Sequence, residues 1–143
     1  MGMPIKKLYS AEEHKKFVSG RGYIIIIHTH EGDWPSSQMI EKCAEYCRIY
    51  QFAQFAQIDT DITGVNIGRI PIAYTPTITF FRNGKPMGIQ VAGTDYDEME
   101  RILNSMRTDG YAIADTAITA RRSSRIIILS NNEPIMRMRS LRK

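Results

Sequence analysis

A chain of 143 residues with 43% hydrophobic and 24% charged side chains has the size and balance of one globular domain, able to bury roughly two-thirds of its unfolded surface without a staple. That balance excludes a disordered chain, and the longest apolar run, Tyr23 to Ile27, is far short of the roughly 20 residues that cross a bilayer. The formal net charge of +4 is uneven: from position 121 onward seven basic residues stand against Glu133 alone, leaving 12 basic and 14 acidic side chains, a net of −2, in the first 120.

The opening segment MGMPIKKLYSAEEHKK lacks the apolar stretch and cleavage site of a secretory signal, and Lys6 stands where a myristoylation motif prefers Ser or Thr. Two cysteines, Cys43 and Cys47, fit a reducing compartment and no disulfide framework. A soluble, intracellular chain is expected.

In chain order, Ser10-Ala-Glu-Glu13 is a capping box that predicts a short helix to Phe17 or Val18, stopped by SGRG. YIIIIHTH is apolar on both faces, which predicts a central strand. After the turn EGDWPSS, Ser36 or Ser37 can cap a helix reaching about Tyr50, with Ile40, Cys43 and Cys47 on its apolar face. FAQFAQID predicts a strand closing at Asp59, and TDITGVNIGRIPIAY a loop with at most one helical turn. TPTITFF and PMGIQVAG form a hairpin around Asn83-Gly84, the strongest short-range turn signal. Asp95 to about Arg122 reads as helical, broken at Gly110, with Met99, Ile102, Leu103 and Met106 on one face. RIIILS is a last strand, followed by a tail. A strand–helix–strand unit, an antiparallel hairpin and a closing helix imply an α/β fold with a mixed sheet covered on both faces.

These elements resemble the thioredoxin fold over Ser10 to Met106, through the Trp34-Pro35 turn, Ile58 to Asp61 (IDTD) and Tyr74 to Lys85 (YTPTITFFRNGK). The resemblance implies a cis bond before Pro76, an isomer found for only about one X–Pro bond in twenty. Within that fold the chain is similar to the thioredoxin-like U5 small nuclear ribonucleoprotein (Dim/Dib) family of splicing proteins. The Asp33-Trp34 turn without Cys-x-x-Cys, the Phe-Phe-Arg-Asn of Phe80 to Asn83, and the extension ARRSSRIIILS (Ala120 to Ser130) carry the likeness. Departures mark a divergent member: Pro35-Ser36-Ser37 replaces the family's Asp-Pro-Thr-Cys, and the N-terminal Leu-Pro-x-Leu survives only as MPIKKL. The implied organisation is a thioredoxin-like domain over 1–124 and a C-terminal strand and basic tail over 125–143. The implied role is a nuclear, non-enzymatic component of the U5 and U4/U6.U5 tri-snRNP particles, acting before spliceosome activation. Its partners would be the large U5 scaffold protein and other tri-snRNP proteins, with possible contact to snRNA or pre-mRNA backbone. The alternative is a thioredoxin-like redox or chaperone module, or an adaptor in another complex.

Disulfide exchange needs a thiolate at a helix N-terminus and a resolving thiol one turn on. The vestigial redox-loop positions, Trp34, Pro35, Ser36 and Ser37, offer none, and Thr29 stands where the resemblance places a buried aspartate. No catalytic residue is assigned. Cys43 and Cys47 lie inside a helix and read as small core hydrophobes. His28, His30, Glu31 and Asp33 are the best metal donors in the sequence. They have no evident distant partner pair, so neither metal nor cofactor is expected. A serine nucleophile paired with His28 or His30 lacks any G-x-S-x-G elbow.

The basic side chains Arg82, Arg121, Arg122, Arg125, Arg137, Arg139, Arg142 and Lys143 are the expected partner-facing or RNA-facing groups. In the tail they interleave with Ile135, Met136, Met138 and Leu141, a pattern suited to docking rather than to simple solvation. Deleting residues 134–143 should leave folding intact and weaken partner assembly, more so as salt rises. Pull-down of the truncated and full chains across a salt series checks this, and equal recovery would refute it.

Overall fold

The computed structural model describes residues 5–65, 67, 71–109 and 126–128. Its elements run β1 (Ile5–Leu8), α1 (Ala11–Val18), β2 (Tyr23–Thr29), α2 (Trp34–Ile49), β3 (Ala53–Asp59), β4 (Thr77–Arg82), β5 (Lys85–Ala92), α3 (Tyr96–Asp109) and β6 (Ile126–Ile128). The strands make one sheet in the order β1-β3-β2-β4-β5-β6. β1, β3 and β2 are parallel, whereas β4, β5 and β6 add antiparallel. The architecture is a mixed α/β sheet of thioredoxin-like type with helices on both faces.

The isoleucine run sits where its composition demands. Ile24 to Ile27 are buried, between β3 and β4. Alternation sends Ile25 and Ile27 into one core with Met39, Cys43 and Tyr46 of α2 and Met99, Ile102 and Leu103 of α3. Ile24 and Ile26 enter the other core, with Val18 of α1, Leu8, Ile58 and Phe81. Each such side chain contributes about 1.5–3 kcal/mol by leaving water. Phe80 and Phe81 divide between the two cores, so neither offers an exposed ring for base stacking. Tyr46 and Tyr50 donate hydrogen bonds to Glu100 (2.9 Å) and Asn104 (3.1 Å), tying α2 to α3.

Local signals match closely in two places. Ser10 Oγ accepts from the Glu13 N–H at 3.1 Å while the Glu13 carboxylate reaches back to the Tyr9 N–H at 2.7 Å. At the hairpin, Asn83 and Gly84 have φ of 52° and 86°, both left-handed, as a two-residue turn on right-twisted strands requires. Asn83 Oδ1 accepts from the Gly22 N–H at 2.7 Å, and the Asn83 N–H donates to the Gly22 carbonyl at 2.9 Å, pinning the hairpin to the loop before β2.

Two expectations change. β1 has no counterpart in the predicted order: its buried Ile5 and Leu8 are three residues apart, a spacing that hides a period-2 strand. The second helix starts at Trp34, so Asp33 is its cap, not Ser36 or Ser37. Between β3 and β4 the described residues form a loop, as expected. The expected helix beyond Asp109 and the tail, with Arg121, Arg122, Arg125, Arg137, Arg139, Arg142 and Lys143, lie outside the described residues.

The α1-side core also buries two histidines. His14 is fully buried, neither ring nitrogen has a partner among the described residues, and the ring packs edge-on to Phe81. The His28 Nε2 lies 3.0 Å from Thr79 Oγ1, and the two imidazole centroids are 6.4 Å apart. Burial, with the nearby His14 charge adding to it, pushes the His28 pKa down to about 3, and burial also lowers that of His14. A histidine whose folded pKa lies below its unfolded value binds more protons when unfolded. Its stabilising contribution is therefore complete above the unfolded pKa, about 6.5, and is lost as pH falls toward 3. For His28 the loss at about pH 5 is about 2 kcal/mol. The urea midpoint should fall between about pH 7.5 and pH 5, and His14→Leu should remove part of that fall. A midpoint independent of pH would contradict the buried neutral pair.

Candidate functional site

The parallel strands β2 and β3 end level with one another, Thr29 opposite Asp59, and ligand sites of α/β sheets gather at such C-terminal strand ends. Beyond β2 the chain turns through Gly32, whose φ is +84°, and the Asp33 N–H donates to the His30 carbonyl at 3.0 Å. Asp33 then caps α2. Its Oδ2 accepts from the Ser36 N–H (3.2 Å), the Ser36 hydroxyl (2.7 Å) and the Thr75 hydroxyl (3.1 Å). Ser36 Oγ in turn accepts from the His30 N–H at 3.2 Å. Pro35 sits in the first helical turn, where its missing N–H leaves nothing unsatisfied. The hydrogen bonds from Ser36, first of all, and from Thr75 hold the Asp33 carboxyl below its ordinary pKa, so it is ionised.

Asp33 and Ser36 are thus the pair spaced i, i+3 at the positive end of the helix, the place where a thiolate and its resolving thiol would need to be. The sequence reading placed the vestigial redox loop at Trp34 to Ser37. The geometry moves it one residue earlier, because the cap is an aspartate and Trp34 is already helical. Ser36 is buried and Ser37 exposed. The Thr75–Pro76 peptide, which is cis, approaches from the other side. Trp34 and Tyr74, the chain neighbours of the bonded Asp33 and Thr75, are 71% and 67% exposed, among the largest apolar side chains left open to water. Thr29 takes no acidic role; its hydroxyl lies 3.5 Å from the Ile58 carbonyl.

The remaining predicted residues are placed as follows. Cys43 is fully buried in the core under α2, and Cys47 is half-buried one turn on. Burial raises both thiol pKa values, that of Cys47 to about 11, so neither is a thiolate at neutral pH. Arg82 packs its guanidinium 5.8 Å from the centroid of the Tyr23 ring.

The donor cluster of the HTHEGD segment divides. His28 points into the core, whereas His30 stays at the surface and meets a pair the sequence did not reveal, Asp59 and Asp61. One ligand atom of each of these three residues lies within 4.8 Å of the others. Beside them opens a cleft of about 600 Å³ walled by His28, His30, Asp59, Thr60, Tyr74 and Thr75. The clue available beforehand was the Asp-x-Asp of IDTD at the end of β3, read there as a strand terminus and an anchor of the fold resemblance.

No protein-family model matches the chain, and no curated protein matches it in sequence. Its backbone is similar to those of solved thioredoxins. Thioredoxin O2 from Arabidopsis thaliana in the oxidised state superposes with a TM-score of 0.63 at 20% identity, over 74% of this chain and 96% of that one. A Plasmodium falciparum thioredoxin gives 0.63 at 18%, over 71% and 98%. A designed protein gives 0.66 at 20%, over 74% and 100%. At such identities the likeness establishes the fold alone: the chain has a thioredoxin-like fold.

Proposed function

We propose that the chain is a binding module of thioredoxin-like fold that works by occupying surface and not by thiol chemistry. The observation supporting this is the Asp33–Ser36 hydrogen bond of 2.7 Å, which occupies the place a dithiol would take, between exposed Trp34 and Tyr74. A hydroxyl and a carboxylate at i and i+3 cannot form a mixed disulfide or store two electrons. They do keep the loop rigid, so that aromatic side chains are presented to a partner without an ordering cost. The finer reading is a nuclear component of the spliceosomal U5 and tri-snRNP particles. It is supported by the Phe80-Phe81-Arg82-Asn83 hairpin and by the basic, apolar-interleaved sequence after Arg121. On that reading Trp34, Pro35 and the hairpin shape the body that wedges among U5 proteins, and the C-terminal arginines meet acidic or RNA surfaces.

A second reading, a redox or chaperone module or an adaptor elsewhere, is favoured by the likeness to oxidised thioredoxins. Insulin reduction separates the two. The wild-type chain should show no turnover above the reductant alone, whereas Asp33→Cys/Ser36→Cys, oxidised with diamide, should form an intramolecular disulfide, seen as the loss of two hydrogen atoms by intact mass. Robust wild-type turnover abolished by Cys43→Ser would overturn the non-enzymatic reading. For the finer reading, affinity purification from nuclear extract should recover U5 RNA and tri-snRNP proteins, and recovery without them would sink it.

A further inference from the structure

At the end of the sheet opposite the Asp33 loop, where β2 and β3 begin, we propose a binding site for single-stranded nucleic acid with Phe52 as its stacking ring. The site is separate from the Trp34–Tyr74 face and stands whether or not the partner proteins belong to the U5 particle. Topology collects its elements. α1 and α2 each run from the C-terminal end of one strand to the N-terminal end of the next, and α3 returns from Ala92 to the same side. The hairpin joins them there, since Tyr23 is level with both Ala53 and Arg82. The Ala53 N–H donates to the Tyr50 carbonyl at 3.2 Å, closing the turn that carries Phe52.

Three rings form one cluster at this end. Phe52 packs edge-on with Tyr23 at 5.9 Å and with Tyr50 at 6.2 Å between centroids, yet it stays 38% exposed. An arginine flanks it on either side: the Arg82 guanidinium lies 5.8 Å from the Tyr23 centroid, and that of Arg107 5.0 Å from the Tyr50 centroid. Arg107 donates to the neutral Asn104 Oδ1 at 2.8 Å, and the buried Tyr50 hydroxyl donates to the same oxygen at 3.1 Å, so the cluster is braced against α3. An open ring between two guanidinium groups suits a single strand, whose bases stack on aromatic faces while its phosphates meet cations.

Charge is the second, independent observation. Residues 15–23, 48–53, 82–85 and 104–109, which meet at this end, hold seven basic side chains and one acidic one, Asp109. Residues 9–13, 29–36, 59–65 and 93–98, at the opposite end, hold nine acidic side chains and no lysine or arginine. Helix dipoles account for part of the contrast, since Lys15, Lys16, Arg48 and Arg107 stand in last helical turns. Arg21, Arg82 and Lys85 end no helix; they belong to the loop and hairpin that the Gly22–Asn83 hydrogen bonds hold together. Such a one-sided field draws a polyanion to this end. An acidic peptide answers the charge alone, whereas a nucleotide strand brings phosphates and flat bases together.

The test is fluorescence anisotropy of a labelled oligouridine of about 12 nucleotides with the full chain at low ionic strength. Binding should be saturable and should weaken as salt rises, each phosphate contact adding about 0.7 to the slope of log affinity against log salt. Phe52→Ala and Phe52→Leu should each weaken binding about fivefold or more, and Phe52→Tyr should retain it, with circular dichroism verifying the fold of each variant. Arg21→Gln and Lys85→Gln, both at exposed positions, should each lower the salt slope. Absence of saturable binding would overturn the proposal. So would binding that Phe52→Ala and Phe52→Leu leave unchanged, the mark of plain polyanion attraction, or displacement by polyglutamate as effective as by unlabelled oligouridine. Binding abolished by Arg137→Gln/Arg139→Gln/Arg142→Gln but untouched by Arg21→Gln/Lys85→Gln would assign it to the tail and equally overturn the site.

Discussion

One oxygen, Oδ2 of Asp33, accepts three hydrogen bonds from three donors on two segments, and the functional face depends on it. Two bonds come from Ser36 and cap α2, and the third comes from Thr75 at the cis-Pro76 peptide. Through Ser36 Oγ the network reaches the backbone of His30. The end of the central strand, the start of the main helix and the entry to β4 are thereby joined at one charged atom. The carboxylate complements the positive helix end, and its lowered pKa keeps it charged. A thiol pair in this place would make the junction a redox variable. Asp33 and Ser36 make it a constant.

Two consequences follow from that constancy. Trp34 and Tyr74 project from backbone that cannot rearrange without breaking charge-assisted hydrogen bonds, so a large aromatic surface stands open and pre-ordered. The strand ends beneath are equally fixed, and this lets His30 after β2 meet Asp59 at the end of β3 and Asp61 just beyond it. Tyr74, His30 and Asp59 line one cleft at the C-terminal ends of the parallel strands, with Thr75.

Much of the fold was legible because its signals are local. The capping box at Ser10, the left-handed Asn83-Gly84 turn and the apolar stripe of α3 are each decided within a few residues. The isoleucine run could be assigned to the sheet centre because only a strand buried on both faces tolerates it. The failures have equally local causes. β1 was missed because four residues with apolar ends and a Lys-Lys middle match no strand period. The start of α2 was placed late because Ser36 and Ser37 are good caps in isolation. Asp33 wins because its carboxylate reaches the Ser36 N–H while Pro35 has no N–H to satisfy. The absence of a dithiol was visible in the sequence; the identity of the pair that replaced it was not.

Composition and spacing by themselves determined an α/β fold, a mixed sheet centred on β2, a thiol-free helix start and a basic C-terminal segment, because each rests on residue type or short-range periodicity. Tertiary structure alone decided three things: that Asp33 bonds to Thr75 across 42 residues, that His28 turns inward toward His14, and that His30 meets Asp59 and Asp61. Those contacts arise from strand pairing and chain crossover, and a distance set by sheet register leaves no periodic trace in the residues that it joins.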